Sequence, residues 1–359
     1  MAHTRAVETR ALRWLGPPAG PAVVLLDQTR LPAEEAYLAC HDVPTLIDAI
    51  RSLVVRGAPL LGLAGAYGVA LAACRGEDVA AAAAALGRAR PTAVNLSWGA
   101  ARALAAYQAA GAGRGPAAAL AEAGAIEAED AAASAAIAAH GLTLVGDRYR
   151  ILTHCNTGAL VSAGEGTAFA IILAAHRAGR LARLWVDETR PLLQGARLTA
   201  YEAARAGIAH SVLADSAAAS LMAAGEVDLV LTGADRVAAD GSVANKVGTY
   251  GLAVLAQHHG VPFVVAAPLS TVDFAAPGPA AIKVEHRPGE EVTSFAGAAV
   301  APPGTPGYNP AFDVTPAALV TALVTEYGVV QPVDAGTLHA LGTGHREREG
   351  APSDGSVER

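Results

Sequence analysis

Cysteine is scarce in this chain. Its three residues, Cys40, Cys74 and Cys155, are odd in number and far apart in 359 positions. That excludes a disulfide framework, and no CxxC pair points to a zinc site. A reducing, cytoplasmic setting follows. Aromatics supply only 4% of the residues, and much of the 52% hydrophobic content is alanine, so runs such as Val79–Leu86 and Ala117–Ala139 read as helix with little chemistry. Positive charge is in deficit: the formal net charge of −7 and a pI near 5.9 argue against a nucleic-acid partner. The first residues carry Arg5, Arg10 and Arg13 but no continuous apolar run, so no signal peptide is expected. Only Gly57–Cys74 approaches the length of a membrane span, and Pro59, Gly62, Gly65 and Gly68 make it a tightly packed buried helix instead. No Gly-x-Gly-x-x-Gly follows the first strand of the expected sheet, and there is no P-loop, so no dinucleotide is implied. His258-His259 has no matching ligand cluster and reads as a helix end. No metal and no cofactor are expected.

What is present falls into two unlike halves. Ala22–Leu26 reads as a strand, and residues 33 to 140 are mostly helical in pattern, with breaks at Gly57-Ala-Pro59, Arg90-Pro91 and Gly111–Pro116. From about Gly141 the pattern changes to alternating elements. Strands are expected at Ile151–His154, Leu184–Asp187, Ser211–Leu213, Leu229–Leu231 and Phe263–Ala266. Helices are expected at Gly166–Gly179, Leu198–Ala206, Ser216–Ala224 and Gly248–His258. That rhythm signals βαβ units and a parallel sheet with right-handed crossovers. The fold class is therefore α/β. A mainly helical N-terminal domain spans 1–145, a parallel-sheet domain spans 146–343, and a charged tail, 344–359, is expected to be disordered. Val314-Thr-Pro316 reads as a further helix start.

The residues that carry chemistry sit at strand ends, where an open parallel sheet lines its ligand crevice. Tyr149–Ala159 is a short apolar strand that stops at Cys155 and turns at Gly158. Val227–Asp235 repeats the grammar with a carboxylate in place of the thiol. A thiol and a carboxylate on one crevice can share acid–base work. Taken singly, each has a plain structural reading: a free cysteine as a small buried hydrophobe, an aspartate as a helix cap. Asn245-Lys246 precedes Gly248 at a helix start, where a lysine and helix amides hold a phosphate; the plain alternative is a solvated lysine. Arg56 and Arg90 stand at chain breaks and suit bidentate phosphate contacts, or are ordinary surface arginines. The cluster Asp187–Gly195 ends another strand. There Glu188 can pair with Arg190, and Gln194 can donate to a sugar hydroxyl, or the group can simply cap the next helix.

Together these motifs resemble the methylthioribose-1-phosphate isomerase family, within the wider group that includes the regulatory subunits of translation initiation factor 2B. The likeness runs from about Leu25 to Leu341. It rests on Arg56-Gly-Ala-Pro59, Arg90-Pro-Thr-Ala-Val-Asn-Leu96, Thr153-His-Cys-Asn156, Glu188-Thr-Arg-Pro191 with Gln194-Gly195, Gly233-Ala-Asp-Arg236, Ala244-Asn-Lys246 and Phe312-Asp-Val-Thr-Pro316. The resemblance implies Cys155 and Asp235 as the catalytic pair, with substrate contacts from Arg56, Gly57, Ala58, Arg90, Gln194, Asn245 and Lys246. It implies that the 146–343 domain is Rossmann-like and catalytic. It implies a homodimer acting on a small sugar phosphate, an aldose 1-phosphate converted to a ketose 1-phosphate. A relative acting on 5-deoxyribose 1-phosphate shares nearly every motif. One acting on ribose 1,5-bisphosphate calls for additional basic residues at the far end of the sugar, and the Arg90–Asn95 element favours the methylthioribose type. A non-catalytic regulatory subunit is the rival of another class. One departure stands out. Where the family has a glycine-rich run of small or aromatic residues, Val161–Gly166 introduces Glu165, a charge expected near the site.

Overall fold

The structure, a computed structural model, describes residues 10–90, 93–111 and 113–348. The N-terminal part opens with an antiparallel meander of β1 (Leu12–Leu15), β2 (Ala22–Leu26) and β3 (Tyr37–Cys40). Five helices follow: α1 (Val43–Arg51), α2 (Ala58–Arg75), α3 (Val79–Gly87), α4 (Val94–Ala110) and α5 (Gly115–Leu142). Asp42 caps α1 by accepting the Thr45 amide at 2.8 Å. Helix α2, whose one charged residue is the terminal Arg75, is long and apolar enough to cross a membrane, yet 83% of it is buried inside the protein. It is the centre of the helical core. Its glycines serve close approach: a Cβ on Gly65 would lie 2.5 Å from the Leu96 carbonyl, and one on Gly99 would lie 2.0 Å from the Gly62 carbonyl. The backbones of α2 and α4 therefore touch where any larger residue would hold them apart.

The second part alternates strands and helices as expected: β4 (Tyr149–Thr153), α6 (Ala168–Arg177), β5 (Leu181–Asp187), α7 (Ala200–Arg205), β6 (His210–Leu213), α8 (Ala218–Ala223), β7 (Leu229–Thr232), then β8 (Arg236–Ala238), β9 (Val243–Lys246), α9 (Thr249–His259), β10 (Phe263–Ala266) and β11 (Val272–Asp273). A short α10 (Glu290–Thr293) and the ribbon β12 (Ser294–Phe295) and β13 (Ala298–Ala299) precede β14 (Phe312–Thr315), β15 (Ala322–Thr325), β16 (Gly328–Val330) and α11 (Ala335–Arg348). The main sheet has seven strands in the order β16-β15-β10-β7-β4-β5-β6, parallel except for β16 at one edge. Its strands are apolar on both faces. Along β7, Leu229 and Leu231 enter one core and Val230 the other; along β4, Ile151 and Leu152 divide the same way. Helices cover both sides, as a parallel sheet requires.

The strand order sets the site. From β4 the chain moves one way to β5 and β6; it then crosses back to β7 and continues the other way to β10 and β15. The loops leaving β4 and β7 diverge, which opens a crevice outside their carboxyl ends. Cys155 follows β4 and Asp235 follows β7, and these two strands are hydrogen-bonded neighbours.

Two expectations need correction. Val314-Thr-Pro316 does not start a helix. Phe312–Thr315 is a strand that pairs antiparallel with β9, and Pro316 ends it ahead of a single 3-10 turn, Ala317–Leu319. A proline fixes the same φ at a strand end as at a helix start, and the β-branched residues before it decide for the strand. The tail expected to be disordered from 344 is helical through 348, as the end of α11; residues 349–359 lie outside those described.

Candidate active site

Cys155 is held in a strained turn. Its φ is 63°, in the left-handed region, and its burial is nearly complete at 9% exposure. The backbone is pinned on both sides: its amide donates to Thr189 Oγ1 at 2.9 Å, and its carbonyl accepts from Thr199 Oγ1 at 2.6 Å. Thr189 and Leu193 also have positive φ, 66° and 58°. A β-branched residue there is costly, on the order of 1–3 kcal/mol, and such strain collects at functional sites. The Thr189 loop is fixed in turn by Asp215, whose two carboxylate oxygens accept the amides of Thr189 and Arg190, each at 2.7 Å.

The charged groups around the thiol are those the sequence singled out. Burial pushes the Cys155 thiol above its ordinary value and Asp235 raises it further, while Arg56 and Lys246 pull it down. Burial likewise lifts the Asp235 carboxyl, against Arg90, Arg56 and Lys246. Lys246 is lowered, again by burial first, with Cys155 and Asp235 opposing. The thiol, the carboxyl, two guanidinium groups and the ammonium thus sit within reach of one another's fields. A neutral thiol and a protonatable carboxyl are the states this environment favours.

The remaining expected contacts fall around this centre. Arg56 is buried and donates from Nη2 to Asn156 Oδ1 at 2.7 Å. Gly57 caps α2 with φ 89°, and no side chain caps that helix end. A Cβ on Gly57 would lie 2.4 Å from Val161 Cβ, so the turn after Cys155 presses directly on the start of α2. At the start of α2 the Ala58 amide can meet an anion, while Pro59 after it has no N–H to offer. Asn245 and Lys246 end β9, buried at 4% and 5% exposure, and Asn245 Nδ2 donates to Thr249 Oγ1 at 3.0 Å. Gln194 is buried and its Oε1 has no partner among the described residues, an acceptor left for something else. Arg90 Nη2 donates to Glu285 Oε2 at 3.1 Å.

Two local readings do not hold. Arg190 does not pair with Glu188; its guanidinium donates to the carbonyls of Pro191 and Val292 and lies over Phe295. Glu165 is not in the crevice. Its carboxylate pairs with Arg177 on the exposed side of α6.

Sequence reasoning also passed over several residues. Glu285, Arg287 and Glu291 form a chain behind Arg90 and Lys246, with Arg287 Nη1 3.3 Å from Glu285 and its Nε 3.0 Å from Glu291. The charged run Glu285-His-Arg-Pro-Gly-Glu-Glu291 was their only signal. Glu202, on α7, accepts from Asn156 Nδ2 and from the Leu160 amide. His154, Asp187 and Asp215 bring donor atoms within 4.8 Å of one another. Both His154 ring nitrogens face acceptors, Asp187 Oδ2 and the Val247 carbonyl, and both Asp215 oxygens accept amides, which leaves Asp187 Oδ1 as the one of these carboxylate oxygens with no partner among the described residues.

The chain is similar to known proteins over most of its length. The model of the Initiation factor 2 subunit family matches residues 54–332. A methylthioribose-1-phosphate isomerase of Anaeromyxobacter dehalogenans is 54% identical over 324 residues, covering 89% of this chain and 94% of the relative. One of Heliobacterium modesticaldum is 50% identical over 331 residues, covering 89% and 96%. Among solved structures, 5-methylthioribose 1-phosphate isomerase from Pyrococcus horikoshii superposes with a TM-score of 0.85 at 38% identity, covering 93% of this chain and 96% of that one. A structure described as translation initiation factor eIF-2B, subunit delta, from A. fulgidus gives 0.78 at 40% identity, covering 92% and 99%.

Proposed function

The chain belongs to the Initiation factor 2 subunit family, and we infer that it is an aldose–ketose isomerase. It converts 5-methylthioribose 1-phosphate to 5-methylthioribulose 1-phosphate, a step of methionine salvage. The observation that carries this reading is the thiol–carboxyl pair at the switch point of the sheet, Cys155 after β4 and Asp235 after the adjacent β7, with Arg56 and Lys246 acting on both.

The substrate's phosphate blocks its anomeric oxygen, so the ring cannot open as a free sugar does. Asp235, kept protonatable by burial, gives its proton to the ring oxygen as the bond from that oxygen to carbon 1 breaks. The electron-poor carbon 1 then receives hydrogen from carbon 2, and the hydroxyl at carbon 2 loses its proton to Asp235 to become the ketone. Atoms balance, and the carboxyl ends as it began. The carbon-bound hydrogen has two routes. Cys155 can remove it as a proton and return it to carbon 1 through an enediol-like species. Alternatively it moves directly as hydride, with the thiol in a supporting role, a route favoured by the burial that keeps Cys155 neutral. Arg56, Arg90 and Lys246, with the amides at Gly57 and Ala58, hold the phosphate, while Gln194 and Asn245 orient the sugar. Such positioning supplies much of the rate.

A regulatory subunit without catalysis is the second reading, and one solved relative is described as translation initiation factor eIF-2B, subunit delta. The retained Cys155, Asp235, Asn245 and Lys246 stand against it. The enzyme works as a cytoplasmic homodimer; Tyr250 and Val254, one turn apart on the outer face of α9, are exposed at 45% and 41% and suit a second copy. Purified protein assayed with methylthioribose 1-phosphate and 5-deoxyribose 1-phosphate tests the assignment. Preferred turnover of the first is expected, and turnover of neither overturns it. Run in heavy water, the same assay separates the routes: deuterium at carbon 1 requires the proton route, and its absence supports the hydride shift.

A further inference from the structure

We propose that His154 is a positioning residue, a buried imidazolium that clamps the turn bearing Cys155 to the turn bearing Lys246. Its two ring nitrogens face two acceptors. Nδ1 lies 2.9 Å from Asp187 Oδ2, and Nε2 lies 2.9 Å from the carbonyl oxygen of Val247. A carbonyl has no proton to give, so Nε2 carries one. The contact at Nδ1 needs another, shared between an imidazole and a carboxylate. By their ordinary affinities, about 6.5 against about 3.9, that proton belongs to the ring.

The surroundings bear on the same point. The His154 side chain is 1% exposed and that of Asp187 also 1%. Burial pulls the imidazole down, but the hydrogen bond and charge of Asp187, the charge of Asp215 and the Val247 carbonyl outweigh it, and the net direction is upward. The acidic groups around the ring come from separate elements: Asp187 ends β5, Asp215 follows β6, and Asp313 lies on β14, where it also feels His154. The ring is wedged as well as bonded. A Cβ on Gly248, whose φ is 108°, would come within 2.8 Å of His154 Cε1.

What the clamp joins gives it its role. His154 directly precedes Cys155. Val247 directly follows Lys246. The Asp187 carbonyl accepts from Thr189 Oγ1, the same oxygen that accepts the Cys155 amide. One ring therefore ties the ends of β4 and β5 to the turn between β9 and α9. A neutral imidazole holds only one of its two nitrogens as a donor, and one of the two ties is lost. The proposal rests on the reading that Cys155 and Lys246 face one substrate, and its first test does not depend on turnover.

That test is a long-range proton–nitrogen spectrum of the wild-type protein at pH ~9, some 2.5 units above the ordinary imidazole value. One ring with both nitrogens protonated is expected, assigned by its absence from His154→Gln. A spectrum in which no ring is doubly protonated overturns the proposal, whatever the enzyme's substrate. The second test is Asp187→Asn, whose amide oxygen still accepts from Nδ1 but brings no charge. In that variant His154 titrates, so kcat/KM stays near wild type below the imidazole range and falls ~10-fold as pH rises through it, with KM rising as the Lys246 turn loosens. A variant profile parallel to wild type at every pH overturns the clamp. Absence of turnover in both proteins at every pH counts against the isomerase reading and leaves the spectrum to decide this one.

Discussion

Arg56 and Asn156, a hundred positions apart, are joined by a 2.7 Å hydrogen bond from the guanidinium Nη2 to the amide Oδ1. Both are buried, at 8% and 4% exposure. Arg56 ends the approach to α2, and Asn156 is the residue after Cys155. The bond therefore fastens the helical part of the protein to the turn that carries Cys155. Behind it, the other end of the amide donates to Glu202. The Arg56 Nε is buried and has no partner among the described residues.

Removing the link should loosen ground-state binding more than chemistry. In Asn156→Ala, Arg56 keeps its charge but loses its anchor, and a bond to a charged group is worth ~1.5–3 kcal/mol. KM for the sugar phosphate should rise ~10-fold or more while kcat changes less. Steady-state kinetics with both constants resolved checks this; an unchanged KM with a collapsed kcat would show that Asn156 acts on the chemical step.

Glu202 makes the same network sensitive to pH. Burial pushes its carboxyl up to about 7, against the Asn156 and Leu160 hydrogen bonds and the field of Arg56. An acid whose folded value lies above its unfolded one binds more protons when folded, so stability is greatest below the unfolded value and declines as pH rises toward 7. The group is only partly shielded from solvent, so the effect should be on the order of 1 kcal/mol, or ~2 °C in Tm for a chain of this size. Melting curves from pH 5 to pH 8 should show this decline in wild type and a flatter course in Glu202→Gln. Equal slopes would remove Glu202 as the cause.

Gly57 admits no side chain for two separate reasons. Its backbone, φ 89° and ψ 142°, is one that other residues rarely adopt, and a Cβ would strike Val161 at 2.4 Å. Gly57→Ala should cost ~2 kcal/mol of stability and displace the turn beyond Cys155, lowering kcat/KM ~10-fold or more. Adding Val161→Ala should restore the steric share but not the backbone share. Full recovery in the double variant, or none, would show that only one of the two operates.

How much of this was legible beforehand depended on how local the signal was. The parallel strands announced themselves because each is a short apolar run followed by a turn, and Phe263–Ala266 matches its expected bounds. Cys155 and Asp235 were legible as strand-end residues. Their adjacency was not, because it follows from the strand order β7-β4-β5, which no local pattern encodes. The small sheet β11-β8-β9-β14 was missed for the same reason: strands of two to four residues give too few positions for a period of two to appear. Glu165 misled because position along the chain placed it near the site while its side chain turned out to Arg177. His154 was visible only as the neighbour of a cysteine; its two acceptors come from residues 33 and 93 positions away.

The paired roles of Cys155 and Asp235 can be separated by their pH behaviour. If Asp235 acts first as an acid, activity needs its protonated form. Burial raises that carboxyl, although Arg90, Arg56 and Lys246 oppose the rise. A raised acid stays protonated to higher pH, so kcat/KM should hold on the acidic side and fall tenfold per unit once pH passes its folded value. Asp235→Asn removes the proton and with it that descending limb, leaving a flat profile at ~100-fold lower rate or less. Cys155→Ser should cost a similar factor if the thiol moves a proton, because a hydroxyl is a far weaker acid. It should keep the Asp235 limb, since the carboxyl is untouched. If the hydrogen instead moves as hydride, Cys155→Ser loses much less, and substrate turned over in heavy water carries no deuterium at carbon 1. Near-normal turnover in Asp235→Asn would remove the carboxyl from the mechanism on either route.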